Sequence, residues 1–110
     1  MIYKYNLNHL PGLYTVELPL DCEILSVKAQ NNNVVLYVLT TPEKYKSSIV
    51  DRYQFQIVYT GDPETYPNCN ASTFLDTVML ENDQLVLHIF NLGLHSQWDR
   101  KTQHRVYPHV

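Results

Sequence analysis

Apolar and polar residues alternate along most of this chain. In YTVELP, Tyr14, Val16 and Leu18 fall on one side and Thr15 and Glu17 on the other, the period-two pattern of a half-buried strand. RYQFQIVYT repeats it, with Tyr53, Phe55, Ile57 and Tyr59 against Gln54 and Gln56. QLVLHIFNL does so again, with Leu85, Leu87 and Ile89 against Val86, His88 and Phe90. LDCEILSVKAQ predicts a strand with Leu25, Val27 and Ala29 opposite Ser26 and Lys28. VVLYVLTT is apolar on both faces, which predicts a central strand covered on both sides. The asparagines at 31–33 tolerate left-handed backbone, so they predict a turn that joins these last two segments into a hairpin. IYKYNL alternates weakly ahead of a turn at Pro11-Gly12, and TFLDTVML leads into a turn at Glu81-Asn82-Asp83.

The pattern breaks in three places. Thr41 and Pro42 carry the cap and first-turn residues of a one-turn helix, with a plain loop to Val50 as the alternative. Residues 61–72 form a polar, proline-punctuated loop that holds Cys69. Past Gly93 no period remains, which predicts an irregular tail, an exchanged arm or an edge strand through HRVY. The sum is about seven short strands and no long helix, the signature of an all-β fold. A compact antiparallel sandwich or open barrel over residues 1–93 is expected, followed by a C-terminal extension over 94–110.

Composition narrows the reading. A chain of 110 residues with 45% hydrophobic and 17% charged positions has the makings of one folded domain rather than a disordered segment. Three glycines leave little room for a glycine-rich phosphate loop. The first ten residues, MIYKYNLNHL, contain no apolar run of signal-peptide length, and no stretch approaches a membrane span. A cytosolic chain starting at Met1 is therefore expected, with Cys22 and Cys69 as reduced thiols and the Asn70-Ala71-Ser72 sequon unused. Charge is uneven: residues 1–93 carry five Lys/Arg against ten Asp/Glu, whereas 94–110 carry three against one. An acidic body with a mildly basic end argues against generic nucleic-acid binding.

The succession VELPLDCEILSVKAQ, VVLYVL, FQIVYTGDP, TFLDTVML and LVLHIF resembles a family of short, functionally uncharacterised bacteriophage and prophage proteins. The resemblance covers residues 3–92 and implies a compact, strand-rich domain in which the TG-x-P turn and the strand histidine are shared. The family usually has histidine after its Thr-Gly pair, where this chain has Asp62, so the turn carries no general catalytic histidine.

Candidate chemistry follows from these placements. Thr60, Asp62, Glu64 and Tyr66 offer hydroxyl and carboxylate groups on a loop that is first of all a turn: Gly61 frees the backbone and Pro63 ends the strand. His88 stands in an apolar run, and a role as general base needs a nucleophile within hydrogen-bond reach. A Cys69–His88–Asp76 arrangement has nothing in the sequence to activate its thiol. Tyr37, Tyr53 and Tyr59 are either core residues or an aromatic platform for a base or sugar. Trp98, Arg100, Arg105 and Tyr107 have the chemistry of interface anchors. Histidine and cysteine spacings do not match a zinc site, and neither a metal nor a cofactor is expected.

The leading expectation is a non-enzymatic phage protein that binds a host or defence-system protein in the cytoplasm of the infected bacterium. Two others stand beside it: an oligomeric sponge for a nucleotide immune signal, and a minor virion or assembly component. No membrane partner is expected.

Overall fold

The computed structural model describes residues 1–82 and 84–107. Its strands are β1 Ile2–Asn6, β2 Gly12–Pro19, β3 Glu23–Gln30 and β4 Asn33–Leu39, then β5 Ile49–Tyr59, β6 Phe74–Leu80, β7 Leu85–Asp99 and β8 His104–Val106. A single short helix, α1 Pro42–Lys46, separates β4 from β5. Every pairing is antiparallel, and the strands form two sheets, β1-β4-β3 and β2-β5-β7-β6, with β8 added to the far end of β7. The fold is an all-β sandwich rather than a closed barrel.

The alternation read from the sequence sets the inner faces. Leu18 from β2, Phe55 and Ile57 from β5, and Leu87 and Ile89 from β7 are fully buried against Val34, Leu36 and Val38 of β4. Each such side chain contributes roughly 1.5–3 kcal/mol on leaving water. The doubly apolar β4 is the middle strand of the small sheet, with Val35 buried on its second face. Asn31 and Asn32 both take positive φ (50° and 61°) between the paired residues Gln30 and Asn33, the geometry a two-residue hairpin turn requires. The helix forms as a single turn: Thr41 Oγ1 accepts from the Lys44 amide at 3.3 Å and Pro42 follows it. Five residues cannot hold a helix alone. Tyr45 stacks on Tyr3 of β1 with ring centroids 3.7 Å apart, which ties α1 to the small sheet.

Two expectations change. Leu25 does not share the buried face of Val27 and is 44% exposed, while Ala29 keeps that face but is exposed near the end of β3. The pairing of β3 with β4 slips between Ile24 and Ser26, so Leu25 is a bulge and the inward frame passes through Ile24 and Val27. The break after Gly93 does not end the strand. β7 runs on to Asp99, and β8 closes a hairpin on it, which is the edge-strand form of the C-terminal segment rather than an irregular tail. Alternation vanishes because the β5–β7 register shifts twice, between Arg52/Tyr53 and between Gln54/Phe55, leaving His95 and Leu92 as extra residues. Gly93 takes φ 94° within this bulged stretch, and Asn91 Oδ1 caps its amide at 2.9 Å. Asp83 of the predicted 81–83 turn, and residues 108–110 of the extension, lie outside the described residues.

Candidate functional site

With Tyr53, Phe55 and Ile57 pointing into the core, the even positions of β5 (Arg52, Gln54, Gln56 and Val58) line the outer face of the large sheet. Thr60 follows just past the end of the strand. This stripe carries three groupings.

At the first, Val58 and Thr77 are both register partners of His88, so β5, β6 and β7 bring the histidine between two threonines. Thr60 Oγ1 lies 2.7 Å from His88 Nε2, and Thr77 Oγ1 lies 2.8 Å from Nδ1. In the neutral ring one hydroxyl accepts an N–H and the other donates to the bare nitrogen. The hydroxyl that a general base would need is therefore present in Thr60. The position that orients the imidazole holds the neutral Thr77 instead of a carboxylate, and Asp76 instead accepts from the Thr77 amide at 2.8 Å.

The second grouping is the loop itself. It folds back over β5 and is tied by its own side chains. Asp62 accepts the Glu64 amide at 2.9 Å and the Tyr66 hydroxyl at 2.7 Å, and Thr73 Oγ1 donates to the Asn68 carbonyl at 2.8 Å. The hydrogen bond to Asp62 is the main reason that the Tyr66 phenol is pushed up to about 12. Between loop and sheet lies a cavity of about 150 Å³, walled by Leu13, Leu92, Tyr66 and Cys69, with Gln54 and Gln56 on its floor. Gln56 is only 9% exposed. Burial pushes the Cys69 thiol up, and burial followed by the Asp51 carboxylate does the same for Cys22, so neither is an activated nucleophile.

The third grouping is at the opposite end of the stripe. The Arg52 guanidinium lies 3.7 Å from the centroid of the Trp98 ring and pairs with Glu17 at 3.2 Å. Trp98 is the register partner of Arg105, whose guanidinium is 5.4 Å from the Tyr107 ring. The hairpin that presents them is closed by Asp99, which accepts the Lys101 amide at 2.8 Å. That bond leads the causes holding its carboxyl below the usual range.

Of the residues singled out from the sequence, Thr60 joins His88, Asp62 joins Tyr66, and Trp98, Arg105 and Tyr107 form one cluster. Arg100 turns away and donates to the Ser47 carbonyl at 2.8 Å. Glu64 contributes its amide, not its carboxylate, to the loop. The three tyrosines do not make a platform: Tyr37 belongs to the small sheet and bonds Gln30, Tyr53 faces the core beside Phe55, and Tyr59 ends β5. His88 is committed to the two threonines, which leaves no Cys69–His88–Asp76 arrangement. Sequence reasoning assigned no role to Arg52, Gln54, Gln56 or Thr77, although the alternation of β5 already put the two glutamines on the outer face. Among the described residues, no three His, Cys, Asp or Glu side chains gather as a metal site, and no helix is long and apolar enough to cross a membrane.

These features define an antiparallel β-sandwich domain whose large sheet carries a polar stripe beneath a tied-down loop. The chain belongs to the family described as a domain of unknown function, DUF7352, whose model matches residues 1–98. The match takes in Trp98 and leaves Arg100, Arg105 and Tyr107 beyond it. Neither the curated proteins nor the solved structures contain a match to the chain.

Proposed function

We propose that this chain is a non-enzymatic binding protein that engages a protein partner through the end of its β7–β8 hairpin. The observation that carries this reading is the exposed apolar and cationic cluster there. Leu94 and Tyr107 are 56% and 69% exposed, and they flank a groove of about 350 Å³ that Arg105 also lines. Exposed aromatic and arginine side chains around a shallow groove are the composition of interface hot spots. The three groupings on the outer face add support, since His88 lacks an orienting carboxylate and both thiols are raised rather than activated. A setting in the cytoplasm of a phage-infected bacterium, with a host or defence component as partner, rests on the resemblance of the motif succession alone.

The test is capture from bacterial lysate with the full chain and with the double variant Arg105→Ala/Tyr107→Ala, followed by binary binding of the purified partner. Deleting residues 94–110 is unsuitable, because it removes part of β7. A partner that binds the wild type and is lost at least tenfold by the double variant supports the proposal. Equal binding by both proteins places the interface elsewhere.

A further inference from the structure

We propose that the end of the β7–β8 hairpin binds its partner by strand addition: an extended segment of alternating apolar and acidic residues completes the large sheet beside β7. This inference rests on the hairpin being the contact surface and adds the form its occupant takes. What carries it is a break in one edge of β7. Along the other edge β5 pairs with β7 from Leu87 to Asp99. On the broken edge β6 covers residues 85–90, and the Asn91 amide still donates to the Thr73 carbonyl at 2.8 Å. β8 resumes the pairing only at Gln97. Among the described residues, 92–96 therefore have no strand partner on that edge. The bulges at Leu92 and His95 fall within this stretch, and bulges bend a strand and interrupt its ladder.

The groove of about 350 Å³ sits in this break and is lined from both faces of the sheet. By register, Leu94 shares the inward face of Tyr53 and Val106 that of Asp51, whereas Arg105 shares the outer face of Trp98, over which Arg52 lies. A dimple on a sheet is lined from one face alone, whereas a missing strand opens to both. The chemistry of the occupant follows. Main-chain groups left along an edge are met by another main chain in extended form. A run from 92 to 96 spans about 17 Å, the length of an ordinary strand. Side chains of the added strand alternate between faces, so one set meets the exposed Leu94 and the other meets Arg105. Among the described residues Arg105 forms no ion pair, and its guanidinium stands over the Tyr107 ring. A carboxylate is its complement. Apolar inward and acidic outward is the pattern these groups select.

The test is backbone amide NMR and hydrogen exchange of the isotope-labelled full chain with three end-blocked peptides: VEVEV, VKVKV, and VEVEV with every amide N-methylated. VEVEV is expected to shift the amides of residues 92–96 in a saturable way and to slow their exchange. The N-methylated peptide keeps the side chains but has no main-chain donors, and is expected to do neither. VKVKV should bind about fivefold more weakly, the size of an exposed attractive pair turned repulsive, and Arg105→Glu should reverse that order. Equal binding of the N-methylated peptide overturns strand addition, and equal binding of VKVKV overturns the acidic pattern. No response to VEVEV at millimolar concentration, or one confined to residues outside 92–96, also overturns the proposal and leaves the bulges as protection of the edge. So does slow exchange at 92–96 that needs no peptide and grows with protein concentration, which assigns the edge to a second copy of the chain. A partner captured by the wild type and lost by Arg105→Ala/Tyr107→Ala, with VEVEV inert, removes strand addition and leaves the hairpin interface standing. A response to VEVEV with no captured partner does the reverse.

Discussion

Thr60 Oγ1 lies 2.7 Å from His88 Nε2, and the far nitrogen of the same ring is held by Thr77 at 2.8 Å. Two residues that the sequence separates by a loop and a strand are thus one hydrogen-bonded unit. Its other parts are neutral hydroxyls, one on each ring nitrogen, which fix the orientation of the imidazole. Thr77→Val keeps the shape and removes one partner, so it is expected to cost about 1 kcal/mol, measured by urea denaturation. The same variant should leave hairpin-mediated partner binding unchanged, since Trp98 and Arg105 lie at the other end of the stripe.

Phe55 is the largest fully buried side chain, at the centre of the strand that joins the two halves of the large sheet. Phe55→Ala is expected to remove about 3–5 kcal/mol. Against a total stability of roughly 5–15 kcal/mol that is enough to populate the unfolded chain, visible as loss of a cooperative urea transition.

Gly93 isolates a backbone effect. Its φ of 94° lies where side chains are disfavoured, yet an added Cβ meets no atom within 4 Å. Gly93→Ala is therefore expected to cost about 1–2 kcal/mol from conformation alone, seen as a lower thermal midpoint. Gly61→Ala, at φ 86° and also in open space, should behave alike.

Tyr5 titrates late. Burial first, and then the neighbouring Tyr45, push its phenol from 10.0 to about 12. A raised value favours the protonated form in the fold, so this contribution is complete below pH 10 and is lost as pH rises towards 12. Urea midpoints should stay level up to pH 10 and then fall, and Tyr5→Phe should flatten part of that fall. Tyr66, also at about 12, titrates in the same late phase of an absorbance titration, and Tyr66→Phe should reduce the amplitude of that phase.

How far the sequence reaches is clearest on β5 and β7. Alternation is a local property, since successive side chains must point to opposite faces of any strand. Tyr53, Phe55 and Ile57 could therefore be placed inward, and Gln54 and Gln56 outward, from their order alone. The helix cap at Thr41 and the Asn31-Asn32 turn were legible for the same reason, each being a matter of a few neighbouring residues.

The bulges at Leu25, Leu92 and His95 were not legible, because a bulge is a mismatch between two strands and appears only when the partner is known. That is why β7 looked finished at Gly93. The same limit hid the groupings on the outer face. Sequence alone determined which residues line up on one side of a strand. Only the tertiary structure decided which strands lie next to each other, and so brought Thr77 and Thr60 to His88, Arg52 to Trp98, and the loop down over Gln56. Those contacts join residues far apart in the chain, and no period within one strand encodes its neighbour.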